Sequence, residues 1–376
     1  MTVKKYLATS INSAAQGSST SSDSSWASRQ IDRFVAWATG AYRATRSFSL
    51  LRIIYAVGML LFLIPSYGDR AYLWGFASTW LEPEIKRRGY PFFIEKMFPK
   101  DNTFVFDLSY WSLIVLVLLF LVGYKTRFVT PVMLLFWIGL QSNSMLVTNG
   151  GDTIFRITLS FLIFANLSKH WSVDAWLQKR RGHRKSYTQK HFPVPLWLGA
   201  GLHNTALMLC CYQIMLVYVN SGIFKLMGKE WLEGSALYYS LNLDAFQVVP
   251  LLSELAWQIT PAVLVATWVS IYFQLLFPVL LLWKYTRYLS LVLLLGMHVG
   301  IGFFMGLWSF SLAMIALDML FVRDSSWEKA GNWVRRTNTK AKQILRSEIG
   351  LPPVPRSIPP RPEQFANAGS SSTASE

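Results

Sequence analysis

The chain has 376 residues, 52% of them hydrophobic and 15% charged, with a formal net charge of +16. Its apolar residues lie in long blocks rather than at amphipathic spacing, which excludes an ordinary soluble domain and suits helices crossing a bilayer core of ~30 Å. The basic excess alternates with those blocks instead of forming one patch, which excludes a nucleic-acid partner and matches juxtamembrane lysines and arginines.

Residues 1–25 are rich in Ser, Thr and Ala and read as a disordered tail. They hold no apolar stretch of the signal-peptide kind. Residues 26–47 place Trp26, Ile31, Phe34, Trp37 and Ala41 near helical spacing, with Arg29, Arg33, Arg43 and Arg46 among them. That pattern predicts an amphipathic helix on the anionic inner membrane surface. Eight spans are expected within 48–322: about 48–64, 108–123, 129–145, 153–167, 196–224, 259–283, and two sharing the block 288–322. At ~1.5 Å per residue that last block is ~50 Å long, too long for one crossing, and Gly302 and Gly306 offer a reversal. A short helix around Trp80–Arg88 is expected in the loop 65–107. Residues 323–376 form a basic, Pro-rich cytoplasmic tail, helical over 324–348 and extended beyond.

Charge tests the count. With eight spans, 26 of the 36 lysines and arginines fall on one side, eight on the other, and Arg52 and Arg156 inside spans. Positive-inside then puts both termini in the cytoplasm of a cell-membrane protein. The expected fold class is therefore all-α: a polytopic transmembrane helical bundle with disordered polar termini.

Three polar clusters interrupt the apolar blocks, where ionisable groups are costly and so point to function. Asn149-Gly150-Gly151-Asp152 precedes Arg156, and the i,i+4 spacing puts Asp152 and Arg156 on one helix face. The pair either caps and orients a helix or contacts a substrate. His203, Cys210, Gln213 and Asn220 are spaced by seven, three and seven, a stripe expected to face the bundle interior. The stripe leads to Ser221-Gly222-Ile223-Phe224-Lys225-Leu226, then Trp231 and Gly234. Lys225 either snorkels to the interface or, partly desolvated, acts as a base. His298, with Gln274 on the preceding helix, requires a polar partner in mid-span, for helix packing or catalysis. The adjacent Cys210 and Cys211 make no staple, and no metal-ligand spacing exists.

At these clusters the sequence resembles the HTTM (horizontally transferred transmembrane) domain family. The resemblance rests on Asn149-Gly-Gly-Asp152 through Arg156 to Trp171-Ser172-Val173-Asp174, on Gly222-Ile-Phe-Lys225-Leu226 with Trp231 and Gly234, and on His298 followed by Phe310. The family includes vitamin K-dependent γ-glutamyl carboxylase and an SdpB-like bacterial branch that supports production of a secreted peptide toxin. The carboxylase likeness implies that Lys225 is the base that deprotonates a reduced vitamin K or menaquinone. Oxygen then gives the strong base that permits carboxylation of a peptide glutamate. Where the carboxylase has an auxiliary histidine after the asparagine, this chain has Gly150. Its short basic tail replaces a large lumenal domain, which makes the bacterial branch the nearer likeness.

The expected function is assistance in maturing or exporting a secreted peptide or protein, by quinol-dependent chemistry on the extracytoplasmic side. Lys225 and His298 are the candidate catalytic residues, and Asn149, Asp152, Arg156 and Trp231 the candidate substrate contacts, with no metal. Membrane lipid, a secreted peptide and a companion membrane protein are the expected partners. The alternative is a non-enzymatic scaffold that binds a partner peptide through Lys225 and Trp231. A transporter fits less well, since no internal symmetry is visible.

Overall fold

The structure is a computed structural model that describes residues 26–78, 91–144, 146–181 and 195–348. The expected disordered residues 1–25, the helix around Trp80–Arg88 and the Pro-rich segment beyond 348 lie outside the described residues. The chain divides into two units at Asp324 and Ser325.

The main helices are α1 Trp26–Gly40, α2 Thr45–Leu63, α3 Thr103–Val122, α4 Thr126–Gln141, α5 Gly150–Leu162, α6 Val173–Arg181, α7 Leu196–Leu226, α8 Pro250–Gln258, α9 Thr260–Leu275, α10 Lys284–Met305, α11 Trp308–Asp318 and α12 Asp324–Glu348. Short helices join them, and no strand occurs among the described residues. The all-α membrane architecture is therefore borne out. α3 shows the solvent it meets. Phe106, Tyr110, Leu113, Val117 and Phe120 are buried in the bundle, while Leu108, Trp111, Val115, Leu118 and Val122 are exposed at alternating three- and four-residue spacing. Both faces are apolar, so the outer one faces lipid rather than water.

Every expected span falls on a helix, but the count of eight is not supported by length. Among the described residues four helices are long and apolar enough to cross alone: Thr45–Tyr67, Thr103–Val122, Leu196–Leu226 and Lys284–Met305. α8 and α9, bent by 92° between them, make a fifth if they act as one span. α4 has 16 residues, α5 has 13 and α11 has 11. At ~1.5 Å per residue these fall short of a ~30 Å core. The last reversal is at Gly306, whose φ of +70° suits glycine. Gly302 instead lies inside α10, where a Cβ would come within 2.7 Å of the Trp308 ring.

α11 packs against α2, α5 and α10, and α7 packs against α9 and α1. Tyr55 of α2 donates to Thr158 Oγ1 at 2.9 Å, and Thr158 donates to Gln213 Oε1 at 3.0 Å, linking α2, α5 and α7. Arg52 is fully buried and donates to the carbonyls of Phe120 at 2.8 Å, of Trp171 at 2.6 Å, and of Leu121. Phe120 and Leu121 end α3, where unpaired carbonyls carry the negative end of the helix dipole. A Cβ on Gly123 would meet Arg52 Nη1 at 2.5 Å, so glycine is required beside this pin. Arg70, outside the apolar helices, makes a forked ion pair at 2.8 and 3.0 Å with Asp107 near the start of α3, with the guanidinium 4.0 Å from the Tyr67 ring. The carboxylate holds Arg70 above its usual range.

Candidate functional site

The C-terminal half of α7 carries Tyr218, Ser221, Gly222 and Lys225, whose three- and four-residue spacing sets them on one face. Gly222 lets α9 approach that face. A Cβ there would lie 2.9 Å from the Leu275 backbone nitrogen, a contact no side chain tolerates. The close approach brings Gln274 of α9 against Lys225. Lys225 Nζ donates to Gln274 Oε1 at 2.7 Å and to Ser270 Oγ at 3.4 Å. Ser221 Oγ donates to the same Gln274 oxygen at 3.1 Å. The Nζ also stands 4.6 Å from the centre of the Trp231 ring, a cation–π distance. Trp231 is placed by the turn after α7: it lies over Gly228, where a Cβ would meet its ring at 2.8 Å. Gly234, with φ of +81°, then turns the chain away.

Gln274 Nε2 contacts the sulfur of Met297 at 3.6 Å, and the next residue is His298. His298 is 1% exposed and stacks on Tyr218. The Tyr218 hydroxyl lies 3.0 Å from His298 Nε2 and donates to Asp318 Oδ2 at 2.8 Å. A hydroxyl has one proton. If it goes to Asp318, the His298 contact is made by Nε2–H donating to the tyrosine oxygen. The Nδ1 lone pair then remains. His298 Nδ1 and Asp318 Oδ1 are buried and have no hydrogen-bond partner among the described groups. Three helices thus hold a buried His298–Tyr218–Asp318 chain.

The Asn149–Asp152 cluster forms a capping box on α5. Asn149 Oδ1 accepts from the Gly151 amide at 2.7 Å and the Asp152 amide at 3.3 Å, and Asp152 Oδ2 accepts from the Asn149 amide at 2.8 Å. The cap itself is made by Asn149 and Asp152 rather than by the Asp152–Arg156 pair that the spacing suggested. Asp152 is 2% exposed, and its Oδ1 has no hydrogen-bond partner. Arg156, half-buried one turn on, acts electrostatically on that carboxyl. The cap touches the third cluster through Phe310. A Cβ on Gly151 would lie 2.9 Å from Phe310 Cα, and the Phe310 ring meets the His298 ring edge-on at 5.8 Å.

All three clusters therefore approach one region, though by different routes. Lys225 and Trp231 touch, His298 joins them through Met297 and Gln274, and Asn149 and Asp152 reach His298 only through Phe310. The α7 stripe is corrected at one residue. His203, Cys210 and Gln213 are buried, but Asn220 is exposed. At ~100° per residue the steps of seven, three and seven turn the helix through about 100° between His203 and Asn220, and at that level the buried face of α7 is the one that carries Tyr218 and Gly222. His203 is structural: Nδ1 accepts from the Asn166 amide at 3.0 Å and Nε2 lies 2.7 Å from the Arg43 carbonyl. Sequence reasoning missed Tyr218 and Asp318. The signal for Asp318 was present, since it is the one acidic residue between 288 and 322. No group of three or more His, Cys, Asp or Glu residues fit to hold a metal occurs among the described residues.

The HTTM domain family model matches residues 42–327. Sporulation-delaying protein SdpB of Bacillus subtilis (strain 168) is 24% identical over 247 residues, which cover 63% of this chain and 70% of SdpB. Uncharacterized protein YitO of the same strain is 25% identical over 233 residues, covering 59% of this chain and 69% of YitO. No solved structure matches this chain.

Proposed function

This chain belongs to the HTTM domain family, and from that premise we propose that it assists the maturation or export of a secreted peptide or protein through proton transfer at Lys225. The proposal sets eight helical segments in the cell membrane with both termini in the cytoplasm. The end of α7 then lies on the extracytoplasmic side, as the distribution of lysines and arginines favours. The similarity to SdpB supports the bacterial branch of the family as the nearer guide.

The observation that carries the reading is the setting of Lys225. Its Nζ is fixed by Gln274, Ser270 and the Trp231 face at the end of a 31-residue apolar helix. A general base must first be held in place, and this one is. In this reading His298 is the second catalytic group, offering Nδ1, while Asn149, Asp152, Arg156 and Trp231 contact the substrate. A reduced menaquinone or vitamin K fits the donor set. Lys225 and Gln274 would hold a phenolic hydroxyl, with the flat Trp231 ring and the polarisable Met297 sulfur as neighbours. Such a group supplies, when bound, the reducing equivalents that oxygen consumes. The chain's own part is to orient that hydroxyl and take its proton at Nζ.

One observation favours a second reading, a non-enzymatic peptide scaffold. An ammonium over an indole face is also a ready anchor for a carboxylate. Oxygen-dependent epoxidation of reduced menaquinone by the purified protein in nanodiscs separates the two. The enzyme reading expects turnover that falls about 10²-fold or more in Lys225→Ala and stays low in Lys225→Arg, because arginine keeps the charge but is a poor base. Absence of turnover in the folded wild type, with a companion peptide supplied, would leave the scaffold. There Lys225→Arg would retain peptide binding and Lys225→Ala would lose it.

A further inference from the structure

α12 begins at Asp324, three residues beyond the helical turn Met319–Phe321 that continues α11. It runs 25 residues. From Glu328 to Ala341 every residue is exposed, including Trp333 at 67% and Val334 at 54%. The exposed residues are ordered by face. Ala330, Val334, Thr337 and Ala341 recur at steps of four, three and four, one stripe of a helix, and Trp333 lies at its edge. Thr337 does not interrupt the stripe: its hydroxyl donates back to the Trp333 carbonyl at 3.0 Å, which leaves its methyl to the outside. Lys329, Arg336 and Lys340 lie on one flank and Arg335 on the other, at ~100° per residue. No acidic residue occurs between Lys329 and Ala341.

We propose that α12 lies in the membrane interface and binds anionic phospholipid, with the Trp333–Ala341 stripe in the acyl boundary and Lys329, Arg335, Arg336 and Lys340 on headgroup phosphates. The apolar stripe alone does not name an occupant. The basic flanks do, because they complement an anionic leaflet. The helix follows the last apolar helix by a few residues, so it starts where the chain leaves the bilayer. Tryptophan at the polar–apolar boundary and cationic side chains that snorkel from an apolar stripe are the pattern of interfacial helices. A water-exposed helix would gain nothing from this segregation.

The test is hydrogen exchange of the full-length protein in nanodiscs, phosphatidylglycerol-containing against pure phosphatidylcholine. Amides 329–341 are expected to exchange about tenfold more slowly with the anionic lipid. High salt should remove the difference, and so should the triple change Arg335→Glu, Arg336→Glu, Lys340→Glu. Unchanged exchange in α2 is the control for folding. Equal exchange in both lipids would overturn the proposal. So would protection that ignores salt and charge reversal, which would mean that α12 docks on protein instead.

Discussion

Tyr218→Phe removes one oxygen and keeps the ring, so its effect isolates the buried hydroxyl. In the native bundle that oxygen joins His298 of α10 to Asp318 of α11 at 3.0 and 2.8 Å. An interhelical hydrogen bond in a membrane protein contributes about 0.6 kcal/mol on average and about 1.7 at the strong end. The bond to a carboxyl belongs at the strong end, and the one to His298 near the mean. Asp318 Oδ1 already has no partner, so the change leaves both oxygens of a fully buried carboxyl unpaired. A stranded buried acceptor costs about 1–3 kcal/mol, which brings the expected loss to about 3–5 kcal/mol. Reversible unfolding in mixed micelles would measure it. The physics also predicts a recovery. Replacing the whole set, as Tyr218→Phe, His298→Leu, Asp318→Leu, leaves no stranded polar group, and stability should return to near the wild-type value while any activity is lost. Wild-type stability in Tyr218→Phe, or a triple variant weaker than the single one, would refute the account of these three side chains as a hydrogen-bonded network.

Gly222→Val should separate α7 from α9, because its Cβ would meet the Leu275 backbone at 2.9 Å. The 2.7 Å bond from Lys225 to Gln274 would break. A cysteine cross-link between the two helices at that level should form more slowly than in the wild type. Asn149→Ala removes the cap of α5 and should cost about 1 kcal/mol in unfolding, with Asn149→Asp close to neutral. His170 tests pH. It lies outside the apolar helices, 3.0 Å from Thr45 Oγ1, and burial, then the charges of Arg46 and Lys169, hold it below its ordinary value. The folded state therefore favours the neutral ring. Its contribution is full above about pH 6.5 and is lost as pH falls below that value. His170→Gln should flatten the acid side of the stability profile, and an unchanged profile would rule His170 out as its source.

Much of the protein was legible without tertiary structure because hydropathy is a local quantity. The helices at 45–63, 103–122, 196–226 and 284–305 follow directly from runs of apolar residues that must satisfy their own backbone in lipid. The capping box at Asn149 was equally local, since Asn149 and Asp152 are three residues apart and meet wherever a helix starts. The paired chemistry was not legible. Lys225 and Gln274, or Tyr218 and Asp318, meet because α7, α9, α10 and α11 are rotated to face one another, and periodicity within a single helix does not fix that rotation. Asn220 shows the limit from the other side: its spacing from Gln213 suited the inner stripe, but at its level the neighbours of α7 cover the Tyr218 and Gly222 face instead. The crossing count depends on lengths that only the folded helices reveal. The sequence by itself determined a helical membrane protein and its polar clusters. The tertiary structure alone decided which polar groups share a buried site, because helix rotation and close approach at glycines such as Gly222 are set by contacts between segments.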